Sequence, residues 1–445
     1  MSEQERPGCL RIFFRWTFRL VALVVVIAAL ILGYIFSGAI YNRYVDFPAE
    51  AAAWEELRAQ REEVSLEDGY QDYRGQCHSH SELSHDCMVP FEEILRVLKQ
   101  EGRQFIAMSD HCHEGKADFS RQWAGMHDGV LFIPGYEMRD GFMPWGLPRD
   151  TVLDCGKDKD ALAQEIADKG GLLFFAHTEE ERRWDLPQLK GMEIYNIHTD
   201  FKDENMADLV PDLLLNLHTY PDQTFRLIFD EQTEILAHWD ELNKTRDITG
   251  IAANDCHQNN GITITYTEED TLLVRDTSPK DVAEYELNFF TRLLARVMFG
   301  ALEPNKEVFR YQVDPYAYMT RYVATHVLMN ELSEAAVLNA LDEGRVYIGF
   351  DAIADSTGFT FLAEKDGRRA VMGETLPFDS GITLRAASPI PCRFTVLQDG
   401  EPVFNYEGRE LEWQPSAPGK YRVEAHLDIR DTWIPWVYTN PLALE

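Results

Sequence analysis

The sequence predicts an α/β protein with a membrane helix in front and a small all-β module behind, and three observations lead there. Residues Leu20 to Ile40 form an apolar run broken only by Gly33, Ser37 and Gly38. Between residues 90 and 255, helical periodicity alternates with short, wholly apolar strands. From Phe359 the pattern changes to period two. The expected division is a cytoplasmic N-terminus over 1–19, a transmembrane helix over 20–40, a juxtamembrane stalk over 41–68, an α/β domain over 69–352 and a β-sandwich over 353–445.

The apolar run is long enough to cross a hydrocarbon core of about 30 Å at roughly 1.5 Å per residue. Arg6, Arg11, Arg15 and Arg19 precede it, and Asp46 and Glu50 follow it. The positive-inside rule therefore predicts a single-pass membrane protein, N-terminus cytoplasmic and everything after Ile40 extracytoplasmic or periplasmic. A cleaved signal peptide is the rival, but its apolar region usually spans only about 7–15 residues. Ala49 to Glu63 then reads as a helix or stalk.

Pro90 followed by Phe91, Ile94, Leu95 and Leu98 marks a helix with one apolar face, and Gly102 lies past its end. The strand QFIAMSD follows at once. Asp160 to Lys169 repeats the design with Leu162, Ile166 and Ala167 on one face, Gly170 and Gly171 as a stop, and LLFFAH as the next strand. Further apolar runs end at Asn196 and Asp255. Helices alternating with such strands imply parallel strands covered by helices. Ala317 to Glu343 reads as helical. ITLRAAS, RFTVLQDG and YRVEAHLD, with turns at Asp399-Gly400 and Pro418-Gly419, predict an antiparallel module that contains His426 but no ligand cluster. Its expected role is structural or in interaction.

Acidic residues outnumber basic ones by 75 to 42, for a formal net charge of −33. Such a surface repels nucleic-acid backbones and anionic headgroups, so a nucleic-acid partner is not expected. Solvation of an exported domain accounts for the acidity, with a specific cationic partner as the second reading. Seven cysteines do not make a disulfide framework in 445 residues. Cys77, Cys87, Cys112 and Cys256 lie beside candidate ligands, where a strand neighbour of an inward residue points outward. Buried thiols are the first reading, a disulfide among them the second, and thiolate ligation the last.

Polar residues fall at the C-terminal ends of the apolar runs: His78 and His80, Asp110 and His111, Glu137, His177, Glu193 and Asn196, Asp255 and His257. The densest stretch, CHSHSELSHDC, adds His85 and Asp86. His78 and His80 are two apart and share one face of a strand. An HxH pair alone is weak evidence of a metal site, but so many strand ends with one chemistry require a common cause. In a barrel of parallel strands, that edge carries the active site.

In order, the motifs HSH, SHD, SDH, PGYE, FAH, EIYN and NDCH resemble the polymerase and histidinol phosphatase superfamily of metal-dependent hydrolases, over about residues 70 to 350. The β tail from GRVYIGFD also resembles that of a membrane-anchored or exported branch. The resemblance implies a distorted (β/α)7 barrel with two or three divalent ions, zinc, manganese or iron, at its C-terminal edge. It implies that His78, His80, Glu137 and Asp255 hold one ion, that Glu137 bridges to a second held by His177, and that Asp86 or His85 holds a third with His111 and His257. Asp110 and Glu193 would orient ligands. Some members supply the second ion with another His between the positions of Glu137 and His177; Met138 to Ala176 contains none, and His198 is the nearest replacement.

The activity so implied is a phosphoesterase acting on phosphomono- or diesters of a small anionic or phosphorylated molecule, through a hydroxide held between two ions. A metal-dependent hydrolase of carboxylic esters, carbamates or amides is the alternative, with GFMPWGLP as a hint of an apolar substrate portion. A non-catalytic, membrane-tethered binding module is the third reading. His113 and His198 are candidate proton donors or substrate contacts, and Arg139 is a candidate oxyanion contact. For Arg149, Arg182 and Arg183, simple solvation is the better account, and His127, His218, His238 and His326 read as structural.

Overall fold

The computed structural model describes residues 8–445 apart from Ser65 and Pro279; the side chains of residues 8–13 and of Asp203 also lie outside the described set. Arg6 and the side chain of Arg11, used above for membrane orientation, therefore lie outside the described residues. The chain forms two compact units, Met1–Ala51 with Glu204–Leu227, and Ala52–Asp203 with Ile228–Glu445. The expected division put residues 204–227 inside the α/β domain; they belong instead with the N-terminal segment.

In the first unit, the helix Gly8–Ile35 contains a stretch, Phe14–Ile35, long and apolar enough to cross a membrane. It begins and ends earlier than the expected 20–40. Phe14, Trp16 and Phe18 extend its apolar surface towards the N-terminus, and a turn at Phe36 separates it from the helix Ser37–Tyr41. The helix Met206–Asn216, capped by the Asn205 side chain on the backbone N–H of Ala207, completes this unit with Pro221–Arg226.

The second unit is mixed α/β, and 18 of its strands belong to one sheet. Six neighbours are parallel, in the order Val130–Ile133, Phe105–Ala107, Gln71–Ser79, Thr249–Cys256, Leu189–Asn196 and Leu172–Phe175. Phe142–Trp145 runs antiparallel to Leu172–Phe175, and a further bridge joins Trp145 to Gly135, just past Val130–Ile133. Val130–Ile133, Phe105–Ala107 and Leu172–Phe175 are wholly apolar, as strands covered on both faces are; the helix Phe91–Gln100 covers one face with Phe91, Ile94, Val97 and Leu98, each no more than 4% exposed. Trp145 is fully buried, and its Nε1 donates to the Met108 carbonyl at 2.8 Å. GFMPWGLP is thus strand and core, and the apolar substrate hint fails at Trp145. A Cβ on Gly135 would lie 2.2 Å from Trp145 and 2.3 Å from the Met108 carbonyl, so only glycine allows this approach.

Two segments depart from the helical or silent readings. Within 317–343, Ala324–Met329 is a strand antiparallel to Gln71–Ser79, buried along its whole length. The strand is only six residues long, with Thr325 and His326 adjacent and no alternation, so helix and strand look alike in sequence. Residues 261–312 form a separate four-stranded sheet with the helix Phe289–Phe299.

After Thr360 the chain is all strand, with the hairpin Thr383–Gln398/Glu401–Trp413 closed at Asp399 and Gly400, both of which have positive φ (50° and 88°). These strands join the same large sheet through Val346–Gly349 and Thr432–Thr439. The end of the expected stalk is tied down in this unit, with Arg58 Nε donating to Ile353 O at 2.8 Å and Arg61 Nη2 to Thr357 O at 2.7 Å.

Candidate metal centre

All six parallel strands present their C-terminal ends on one edge, which gathers the predicted side chains. His78 and His80 end Gln71–Ser79, His111 follows Phe105–Ala107, Glu137 follows Val130–Ile133, His177 follows Leu172–Phe175, and Asp255 and His257 end Thr249–Cys256. A short parallel ladder fixes His111 opposite Glu137.

Glu137 is central. Its Oε2 lies 3.4 Å from His78 Nε2, 3.6 Å from His80 Nε2 and 3.3 Å from His111 Nδ1, while Oε1 lies 3.1 Å from His177 Nε2. Asp255 repeats the arrangement, with Oδ1 3.2 Å from His78 and 3.3 Å from His80, and Oδ2 3.6 Å from His177. Asp86 Oδ2 stands 3.5 Å from both His111 Nε2 and His257 Nε2. His85, 73% exposed in its side chain, joins Asp86 and His111 from the rim. Groups of these residues bring ligand atoms close enough to hold a metal ion: His78, His80 and Glu137; His78, His177 and Asp255; His80, His111 and His257; His85, Asp86 and His111.

The donor set fits a cation. Buried Nε2 of His78, His80 and His257, Oε2 of Glu137 and both Asp255 oxygens have no hydrogen-bond partner, although the first two nitrogens lie within 3.6 Å of Glu137 Oε2 and Asp255 Oδ1, His257 Nε2 lies 3.5 Å from Asp86, and Asp255 Oδ2 lies 3.6 Å from His177. Leaving so many buried polar atoms unpaired would cost about 1–3 kcal/mol each.

The outer nitrogens are all engaged. His78 Nδ1 bonds the Glu193 carboxylate, and His257 Nδ1 lies 3.0 Å from the Asp255 carbonyl. Ser84 spends its single O–H on Asp110 at 2.9 Å, so its oxygen accepts from His80 Nδ1 at 3.1 Å and from the His111 N–H at 3.0 Å. In each of these three imidazoles the outer Nδ1 is occupied and Nε2 is the atom turned inward, the one a metal would take. Ser84 escaped the sequence reading although it lies within CHSHSELSHDC; the only signal was a hydroxyl between two ligand pairs.

Burial alone would raise the carboxyl groups of Asp255 and Glu137, but the imidazoles around them, His78 foremost, hold both well below the usual range. Burial, His257 and His111 push His80 well down, whereas Asp255, Glu193 and Glu137 outweigh burial at His78 and hold it up. Asp110 faces away, taking Ser81, Ser84 and Gln122, and burial raises it. Three candidate ligands, His78, His177 and Asp255, have left-handed backbones with φ of 55°, 49° and 44°. Non-glycine residues pay for that conformation, and such strain gathers at functional sites.

The remaining candidates divide. His198 is partly buried, its ring 5.9 Å from His257 and its N–H held by Asn196 Oδ1 at 2.9 Å. His113 and Arg139 are exposed and make no contact with the cluster. Arg149 and Arg182 bind carbonyls of Phe119 and Ala176, and Arg183 pairs with Asp160 and Asp185. His127 stacks on Trp123, His238 meets Trp184 edge to face, and His326 sits in a buried charge network.

Cys77, Cys87 and Cys256 are buried thiols whose pKa values burial pushes up, Cys77 to about 12, and among the described residues no group that could hold a metal ion includes a cysteine. Cys112, next to His111, is instead disulfide-bonded to Cys155, a partner the sequence reading did not name. Glu231, Glu424 and His426 also come together, where the sequence reading saw no ligand cluster. Arg422 already neutralises Glu424 there at 2.7 Å. Compared with models of known protein families and with curated proteins, the chain finds no match.

Proposed function

We propose that the chain is a membrane-anchored, metal-dependent phosphoesterase of the polymerase and histidinol phosphatase type. One observation carries the reading: the buried, unpartnered Nε2 atoms of His78 and His80 converge on unpartnered oxygens of Glu137 and Asp255, and that of His257 faces Asp86, while every outer nitrogen of these three is engaged. The run of six parallel strands, with the antiparallel Phe142–Trp145 strand and the Gly135–Trp145 bridge, supports a distorted (β/α)7 barrel.

In this reading His78, His80, Glu137 and Asp255 hold one divalent ion, Glu137 and His177 a second, and Asp86, His111 and His257 a third, with His85 at its open side. Imidazoles with carboxylates suit zinc, manganese or iron. Such ions supply charge neutralisation for phosphoryl oxygens and lower the pKa of water. The chain does the rest. Glu193 and Ser84 fix ring orientation, Glu137 spans two positions with separate oxygens, and His198 stands at the mouth to contact a leaving group. The Cys112–Cys155 disulfide supports an oxidising, extracytoplasmic compartment.

The test is hydrolysis of phosphomonoesters, phosphodiesters and carboxylic esters by the full-length protein in detergent, stripped of metal and reloaded with manganese, zinc or iron. Phosphoester turnover that needs metal and disappears in Asp255→Asn supports the proposal. Turnover of carboxylic esters alone would make it a carbon-ester hydrolase. A folded, loaded protein inert to all three would favour the binding-module reading.

A further inference from the structure

The first unit carries an apolar groove that the proposed chemistry does not use. It encloses about 1100 Å3 between Tyr34, Ile35 and Phe36, at the end of the apolar helix, and Met206, Val210 and Leu214 of the helix Met206–Asn216. Those three recur every fourth residue on one face, and they are 38%, 41% and 55% exposed.

A polar latch holds the two walls together. Asn42 Nδ2 donates to both oxygens of Asp212 at 3.1 Å, and Asn216 Nδ2 donates to Asp212 at 2.6 Å and to the Ala39 carbonyl at 2.9 Å. Arg43 donates to the Leu215 carbonyl at 2.6 Å. Asp212 and Asn216 are buried, so this contact is not a loose surface approach.

The occupant follows from the first wall. A span of 22 residues rises about 33 Å, roughly one hydrocarbon core, so a membrane-crossing Phe14–Ile35 helix leaves the bilayer near Ile35. Exposed Tyr34, Tyr41 and Tyr44 cluster at that exit, where aromatic side chains populate the headgroup layer. The latch pins Met206–Asn216 to this level. We infer that Met206–Asn216 lies in the headgroup layer, with Met206, Val210 and Leu214 against lipid chains that fill the groove. The inference rests on the reading of Phe14–Ile35 as a membrane span.

The experiment uses the full chain in phosphatidylcholine vesicles, with Cys9→Ser as background. Cys77, Cys87, Cys256 and Cys392 are buried, and Cys112 is paired with Cys155, so a single introduced thiol can be labelled with an environment-sensitive fluorophore. Leu214→Cys and Met206→Cys probe the groove, Leu30→Cys the apolar helix, and Val403→Cys an exposed strand. Quenching of the 214, 206 and 30 labels by a lipid-borne nitroxide, with iodide quenching only 403, is the expected result. If 30 is quenched by the nitroxide but 214 and 206 only by iodide, the inference falls while the membrane span stands. Labels at 214 and 206 shielded from both quenchers in proportion to protein density would put a second copy in the groove and overturn it. A 30 label open to iodide would remove the membrane span and the inference with it.

Discussion

His78 Nδ1 is held by the Glu193 carboxylate, whose other oxygen accepts from the His177 N–H at 2.8 Å and from Asn196 Nδ2 at 3.0 Å. One carboxylate therefore aims two candidate ligands from the rear. Glu193→Gln keeps the shape but weakens the anchor of both. It should lower metal affinity about 10–100-fold with the far-UV circular dichroism unchanged, as isothermal titration will show.

Removing an inward ligand should act on stability as well as on binding. With metal at about 100 times its Kd, the loaded protein gains roughly 3 kcal/mol over the chelated one, visible as a rise in Tm. Asp255→Asn should abolish most of that metal-dependent rise. A variant that kept the whole rise would show that the cation sits elsewhere.

A pH-dependent contribution lies beside Asp72, at the end of Gln71–Ser79 opposite to His78. His326 is fully buried, its Nδ1 2.9 Å from Asp72 and its Nε2 3.4 Å from Asp351. Burial alone would lower its pKa, but Asp72 and Asp351 outweigh it and hold it up to about 9. A raised folded-state pKa means stability that is complete below the unfolded value near 6.5 and lost as pH rises through about 9. The difference in unfolding free energy between wild type and His326→Gln should shrink by on the order of 3 kcal/mol across that window. Urea melts at pH 6 and pH 10 measure it, and a constant difference would contradict the assignment.

The Cys112–Cys155 bond closes a loop with a sequence separation of 43. Loop-closure entropy puts its contribution at about 3–4 kcal/mol. Replacing both by serine should lower stability by that order, and should loosen His111, the neighbour of Cys112. Weaker metal binding by the double variant, with Asp255 and His78 intact, is the expected readout.

The candidate site was legible because metal chemistry confines ligands to a few residue types, and parallel strands deliver them at one edge. His78 with His80, and Asp255 with His257, announce themselves by a spacing of two. What escaped was set in three dimensions. Ser84 matters only because Asp110, 26 residues away, takes its proton, and Cys155 matters only because a loop returns it to Cys112. Ala324–Met329 reads as helix because it is buried on both faces, so its polar pair Thr325 and His326 shows no alternation. The N-terminal placement of 204–227 left no composition signal, since its leucines serve a groove as readily as a core.

The left-handed backbones at His78, His177 and Asp255 bear on how such a chain drifts over generations. At each of the three, glycine would relieve about 1 kcal/mol of conformational cost while deleting a ligand. Selection for stability alone would therefore not favour a histidine or an aspartate at these positions. In this chain all three carry an imidazole or a carboxylate at that cost, and all three fall within groups that could hold a metal ion.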